Sequence, residues 1–232
     1  MTIDAANSVA APTTALVVGA GPGMGLSIAR VFGRAGSLVQ LVARDQDGAD
    51  AMVATLASEG ISAVGVAGNV GDPVSLRTAL EAAREASGDP DVAIYNAGGN
   101  LQGAIESIGF DDFIATYALG VGGALVTLQS VLPAMRAQSA GTFIATGSGA
   151  SVRPYATGSA VGAPKAALRN FIEAAALELA PARVRVATVT IHGVLGSGPA
   201  FEPAVLAEHF WTVWAESALP VEEWQWEHNI RP

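Results

Sequence analysis

The residues best placed to do chemistry lie early in the chain. An apolar run ends in Val18-Gly19-Ala20-Gly21-Pro22-Gly23-Met24-Gly25, and the glycines at 19, 23 and 25 spell G-x-x-x-G-x-G. Glycine permits a tight turn and a close approach to an anion, and the start of a following helix offers unpaired N–H groups to it. Such a loop would bind a pyrophosphate, so Gly19, Gly21, Gly23, Met24 and Gly25 are cofactor-loop candidates. A tight turn that binds nothing would use the same glycines. The next apolar run ends in Val42-Ala43-Arg44-Asp45. An acid at that end would take a ribose 2′-hydroxyl and favour NAD, whereas the guanidinium fork of Arg44 suits a 2′-phosphate. NADP is therefore expected ahead of NAD. The alternative is an Arg44 that is simply solvated beside Asp45. Asn69 and Val70 fall where an adenine edge would lie. Asn96, Ala97 and Gly98 follow the fourth run, and Asn96 either braces strands or lines the cleft.

These residues need a frame that gathers strand ends. Apolar, strand-like runs at 15–18, 38–42, 61–66, 91–95, 142–146 and 184–191 alternate with helical stretches at 24–36, 47–58, 73–87, 110–138, 163–179 and 201–216. A last strand is expected at 224–230. Near-continuous apolar strands separated by helices imply a parallel sheet covered on both faces. The expected architecture is α/β, a Rossmann-type doubly wound parallel sheet of about seven strands with helices on both faces. No internal boundary, repeat or low-complexity tract divides residues 1–232, which read as a single dinucleotide-binding domain. Gly120, Gly122 and Gly123 sit inside the long helix, where they weaken it but allow close packing.

Composition narrows the function classes. Half of the 232 residues are hydrophobic and 14% are charged, against about a quarter charged in ordinary globular proteins. That excludes a disordered chain. Twelve basic and 21 acidic residues give a net charge of -9, which disfavours nucleic acid and acidic membrane surfaces as partners. Cysteine is absent, which removes disulfides, thiolate metal sites and a cysteine nucleophile. No uninterrupted apolar run approaches ~18 residues, so no membrane span is expected. The first twelve residues lack the basic start and apolar core of a signal peptide. A cytoplasmic protein is expected. His209 and His228 are isolated, and no metal site is expected.

The chain resembles the short-chain dehydrogenase/reductase superfamily over nearly its full length. The resemblance rests on Gly19-x-x-x-Gly23-x-Gly25, Asn96-Ala97-Gly98, Leu132-Pro133-Ala134-Met135, Lys165-Ala166-Ala167-Leu168 and the run from Leu177 to Pro181 leading into Val184-Arg185-Val186. The ending at 224–232 resembles that of small uncharacterised members. The resemblance implies an active site of Asn, Ser, Tyr and Lys, in which the phenol exchanges a proton with the substrate oxygen during hydride transfer. It places these roles at Gly120, Ser148, Val161 and Lys165. Lys165 and Ser148 are retained. Val161 has no proton to exchange, and Gly120 has no side chain.

Two residues are candidates to replace the phenol. Tyr155 lies ten residues before Lys165, in the preceding loop. It either swings toward Ser148 or packs its ring. His192 stands where the superfamily has Pro in a Pro-Gly pair, beside the nicotinamide, and histidine titrates near neutrality. It either donates a proton or caps a backbone carbonyl. By resemblance Ser197 contacts the carboxamide. Ser148 otherwise only ends a strand, and Lys165 otherwise serves only as a ribose ligand. A short substrate lid is expected around 197–220, where Phe201, Phe210, Trp211 and Trp214 either meet an apolar substrate or pack in a core or interface. Trp224 and Trp226 are expected to alternate on the last strand.

Three functions fit: an NADP-dependent oxidoreductase with a non-standard proton donor, acting on a small apolar carbonyl or alcohol; a catalytically degenerate dinucleotide-binding protein; or a non-redox enzyme using Ser148 and His192. The superfamily's subunit contacts involve the helices containing Gly120 and Lys165, so a homodimer or homotetramer is expected.

Overall fold

The computed structural model describes residues 9–231. Most of the N-terminal stretch read for a signal peptide, and the terminal Pro232, lie outside the described residues. Seven strands form one sheet: β1 (Thr14–Val18), β2 (Leu38–Ala43), β3 (Ala63–Ala67), β4 (Val92–Tyr95), β5 (Thr142–Ser148), β6 (Arg185–Ile191) and β7 (Glu227–Ile230). Their order is β3-β2-β1-β4-β5-β6-β7, and every neighbouring pair is parallel. The chain starts in the middle of the sheet, builds outward to β3, and returns past β1 to build the other half. That doubly wound order opens a crevice at the carboxyl ends of β1 and β4.

Helices cover both faces. One core joins α1 (Met24–Arg34), α2 (Gln46–Ser58) and α7 (Pro203–Ala215) to the sheet. The other joins α3 (Pro73–Ser87), α5 (Gly123–Gln138) and α6 (Ser159–Leu179) to the opposite face. Local chemistry starts two of these helices. Asp45 accepts from the Gly48 N–H at 2.8 Å, and Asp72 caps α3 ahead of Pro73, satisfying donors that a helix start leaves open.

Several boundaries differ from the sequence reading. The stretch 110–138 is not one α-helix: α4 (Phe110–Tyr117) and α5 flank a π segment, Ala118–Gly122. Packing explains the break. A Cβ at Gly123 would stand 2.3 Å from the Tyr95 hydroxyl, and one at Gly120 would stand 3.1 Å from Pro164 Cβ. The glycines let the backbone approach both the sheet and α6. The buried Tyr95 hydroxyl donates to the Leu119 carbonyl inside the π segment. By length and mean hydropathy, 29 residues and 1.5, the run Phe110–Gln138 would suffice to cross a membrane, although it contains no uninterrupted apolar stretch of that size. Its apolar side is used within the fold, where Ala124, Val126, Leu128, Val131 and Met135 are buried in the second core.

The C-terminal strand is shorter than expected. Trp224 and Trp226 precede it rather than alternating on it. Trp224 donates to the Leu219 carbonyl, and Trp226 lies under the Arg169 guanidinium, 4.8 Å from ring centre to Cζ. Of the two readings for the lid aromatics, core packing is the one observed. Phe201 and Phe210 are buried, with Trp211 and Trp214 packed against the same core. The Trp211 ring lies 5.5 Å from that of Phe32 on α1.

Candidate functional site

The candidate site occupies the crevice at the carboxyl ends of β1, β2, β4 and β5. Gly19 ends β1 with φ +77°, and a Cβ there would stand 2.6 Å from the Ala97 nitrogen. Only glycine satisfies both the left-handed conformation and this close approach. A Cβ at Gly25 would stand 2.8 Å from Ala20 Cα, whereas Gly21 and Gly23 face open space. The loop is therefore tight against the protein on one side and open on the other. Helix α1 starts at Met24 with no side-chain cap and no acidic residue in its first turn. The Leu26 and Ser27 N–H groups are taken by the Gly21 and Gly23 carbonyls, which leaves those of Met24 and Gly25 for an anion. The Met24 side chain is buried in the core, so only its backbone faces that role.

A cleft of about 250 Å³ opens beside the loop. Its walls are Gly19 to Gly21, Arg44 after β2, Asn69 and Val70 after β3, and Asn96, Ala97 and Gly98 after β4. The structure thus brings these candidates, distant in sequence, around one space. Arg44 is exposed and makes no ion pair among the described residues. Its neighbour Asp45 is engaged in capping α2. Asn69 accepts from the Gly71 N–H at 3.1 Å, which shapes the turn. Asn96 braces strands: its amide donates to the Gly19 carbonyl at 3.1 Å, and its carbonyl accepts from the Thr146 hydroxyl at 2.9 Å. The shape and donor set fit a dinucleotide, with room at the loop, donors for phosphate and an uncommitted guanidinium at the adenosine end.

Lys165 extends from α6 toward the same crevice. Its Nζ donates to the Thr146 carbonyl at 2.6 Å and lies 3.4 Å from where a Gly98 Cβ would be. Burial pushes its ammonium down to about 8. One bond leaves the remaining ammonium N–H groups free to meet hydroxyls of a bound molecule. Ser148 ends β5, and its Oγ accepts from the Ala150 N–H at 3.2 Å. It is the last residue of that strand and keeps its hydroxyl proton for a further partner.

The two candidates for the missing phenol are placed differently. Tyr155 is exposed, and its ring lies against Gly158, where a Cβ would stand 2.4 Å from the ring. Among the described residues His192 caps no backbone carbonyl. Its Nε2 lies 2.6 Å from Asn229 Oδ1, and a Cβ at Gly149 would stand 2.9 Å from its Nδ1. The imidazole is therefore held at the end of β5, one residue past Ser148. Ser197 is exposed on the following loop and is not among the residues walling the cleft. Among the described residues no group of three or more His, Asp or Glu is arranged to hold a metal ion.

Sequence reasoning missed Thr146, Asn229, Glu227 and Arg169. Arg169 lies one helical turn beyond Lys165, on the same face. It pairs with both Glu227 carboxylate oxygens at 2.8 and 2.6 Å. That turn spacing and the alternation of Glu227 and Asn229 were visible, but nothing local joined them.

Residues 13–197 match the family described as short chain dehydrogenase. An uncharacterized oxidoreductase of Mycobacterium tuberculosis is 31% identical over 184 residues, covering 79% of this chain and 70% of that protein. Human dehydrogenase/reductase SDR family member 4 is 30% identical over 173 residues, 74% of this chain and 62% of that protein. Among solved structures, a metagenomic short-chain oxidoreductase in complex with NADP superposes with a TM-score of 0.84 at 28% identity, covering 95% of this chain and 96% of that one. A short-chain dehydrogenase from Rhodopseudomonas palustris gives 0.83 at 26% identity, covering 94% and 98%.

Proposed function

The chain belongs to the short-chain dehydrogenase family, and from that premise we propose that it is an oxidoreductase that uses NADP ahead of NAD and carries a non-standard proton donor. The substrate is a small carbonyl compound or the corresponding alcohol. The observation that carries the cofactor reading is the convergence of the Gly19 loop, the unpaired Arg44 and Lys165 on one crevice. A bound nicotinamide dinucleotide supplies the site where hydride is given or taken. In this reading the loop and the start of α1 hold the pyrophosphate, Arg44 takes a 2′-phosphate, and Lys165 donates to ribose hydroxyls. Ser148 donates a hydrogen bond to the substrate oxygen. His192 exchanges the proton that Val161 cannot. Val194 and Leu195, exposed on the loop after His192, support an apolar substrate. Exposed Ile114, Leu125 and Leu177 on α4 to α6 support a homodimer or homotetramer, which light scattering tests.

Fluorescence titration with NADPH and NADH tests the cofactor reading. Tight NADPH binding with at least tenfold weaker NADH binding supports it, and binding of neither overturns it. Val161 and the side-chain-free Gly120 favour a second reading, a dinucleotide-binding protein without turnover. Tight NADPH binding with no oxidation across a panel of aldehydes and ketones would select that second reading.

A further inference from the structure

His192 sits at the end of a column of polar side chains on β6 and β7. In the parallel register Thr188 lies beside Glu227 and Thr190 beside Asn229. With strand periodicity these residues share the face covered by α6. The Thr190 hydroxyl donates to Glu227 Oε1 at 2.8 Å, and Arg169 from α6 closes on the same carboxylate. Glu227 is thus fixed as a carboxylate: the Arg169 guanidinium, helped by Thr190 and the Asn229 amide, outweighs burial and holds the carboxyl below its usual range.

Asn229 helps hold the Glu227 carboxylate ionised, and its carbonyl oxygen is the atom that lies toward His192. An amide oxygen only accepts, so the imidazole nitrogen 2.6 Å away must carry a proton. In the neutral ring Nδ1 is then the unprotonated nitrogen. Nδ1 makes no hydrogen bond among the described residues, and it lies against Gly149, whose missing side chain makes room for the ring.

We propose that Asn229 is a positioning residue: it holds His192 as the Nε2–H tautomer and leaves Nδ1 as the proton-accepting atom at the end of β5, beside Ser148. The inference rests on the oxidoreductase reading only for what Nδ1 serves. In alcohol oxidation Nδ1 would take the hydroxyl proton, and a nicotinamide dinucleotide held by the Gly19 loop and Lys165 would supply the hydride acceptor that balances the two-electron oxidation. In the reverse direction the imidazolium Nδ1–H returns the proton to the oxygen. Asn229 accepts from Nε2–H throughout.

Nuclear magnetic resonance of ¹⁵N-labelled protein at about pH 8, where an ordinary histidine is neutral, reads the tautomer directly. The chain has three histidines, so His192→Gln assigns the signal by its loss. The expected result is at least a tenfold excess of the Nε2–H form, reduced in Asn229→Ala toward the mixture of a free imidazole side chain. NADPH affinity should change less than twofold in that variant. An Nδ1–H or mixed ring in the unaltered protein overturns the proposal, as does a ratio indifferent to Asn229→Ala. The measurement on the unaltered protein stands even where the variant folds poorly. Loss of NADPH binding in the unaltered protein would instead overturn the cofactor reading and leave the tautomer result intact.

Discussion

Lys165 provides a test of how the site stores unfavourable charge. Its ammonium, ordinarily near 10.5, is brought to about 8 by burial, and its one internal acceptor is the Thr146 carbonyl. Below pH 8 both folded and unfolded chains carry the proton, and the folded chain bears the full cost of the buried charge. Between pH 8 and 10.5 the folded lysine has released a proton that the unfolded one still holds, so stability rises with pH across that window. The displacement corresponds to about 3 kcal/mol, of which about 2 kcal/mol is recovered between pH 7 and pH 10. Lys165→Met keeps the length of the side chain and removes the titration. Urea unfolding of both proteins at the two pH values isolates the effect, because every other group titrates in both. The unaltered protein should gain about 2 kcal/mol on the variant from pH 7 to pH 10. A stability difference independent of pH would show that Lys165 is not desolvated in the apo protein, and the reasoning would fall.

Further perturbations probe the loop, the adenosine end and the far side of the sheet. Gly19→Ala forces a left-handed alanine, at about 1–2 kcal/mol, into overlap with Ala97; dinucleotide titration should show binding lost and urea unfolding a lower midpoint. Arg44→Ala should weaken NADPH at least tenfold while leaving NADH within about twofold, as expected where a guanidinium meets a 2′-phosphate; equal losses would remove Arg44 from that role. Glu216→Ala strands the fully buried Arg185, whose guanidinium Nη2 lies 2.7 Å from that carboxylate, and should cost about 3 kcal/mol in denaturant unfolding. Burial opposes ionisation of Glu216, but the hydrogen bonds of His228 and Arg185 prevail and hold it at about 2. Its contribution is therefore present above about 4.5 and lost as pH falls toward 2, and acid unfolding of Glu216→Gln should lack that component.

The phosphate loop was legible because its requirements are local. A turn of positive φ, a close backbone contact and a helix start all act within the seven residues from Gly19 to Gly25. Arg44 was legible because in a parallel sheet the residue after a strand must face the crevice. The strand run likewise followed from apolar stretches covered on both faces. The break at Ala118–Gly122 was not legible, because it depends on Tyr95 and Pro164, which are remote in sequence and meet those glycines only after packing. The aromatic residues of 201–214 were ambiguous for the same reason. Their helical spacing identifies one face, but whether substrate or Phe32 covers it depends on where α7 lands.

His192 marks the division most clearly. Its residue type and its place after β6 made it a proton-transfer candidate from the sequence, since Val161 offers no phenol where the family resemblance places one. Its tautomer was beyond the sequence. That depends on Asn229 and Glu227, 37 and 35 positions further on, and on Arg169 from another helix. Backbone conformation and burial pattern follow from neighbours along the chain, so one sequence determines the sheet, the loop and the set of candidate residues. Hydrogen-bond direction follows from neighbours in space, and only the register of β7 against β6 and the docking of α6 decide which nitrogen carries the proton.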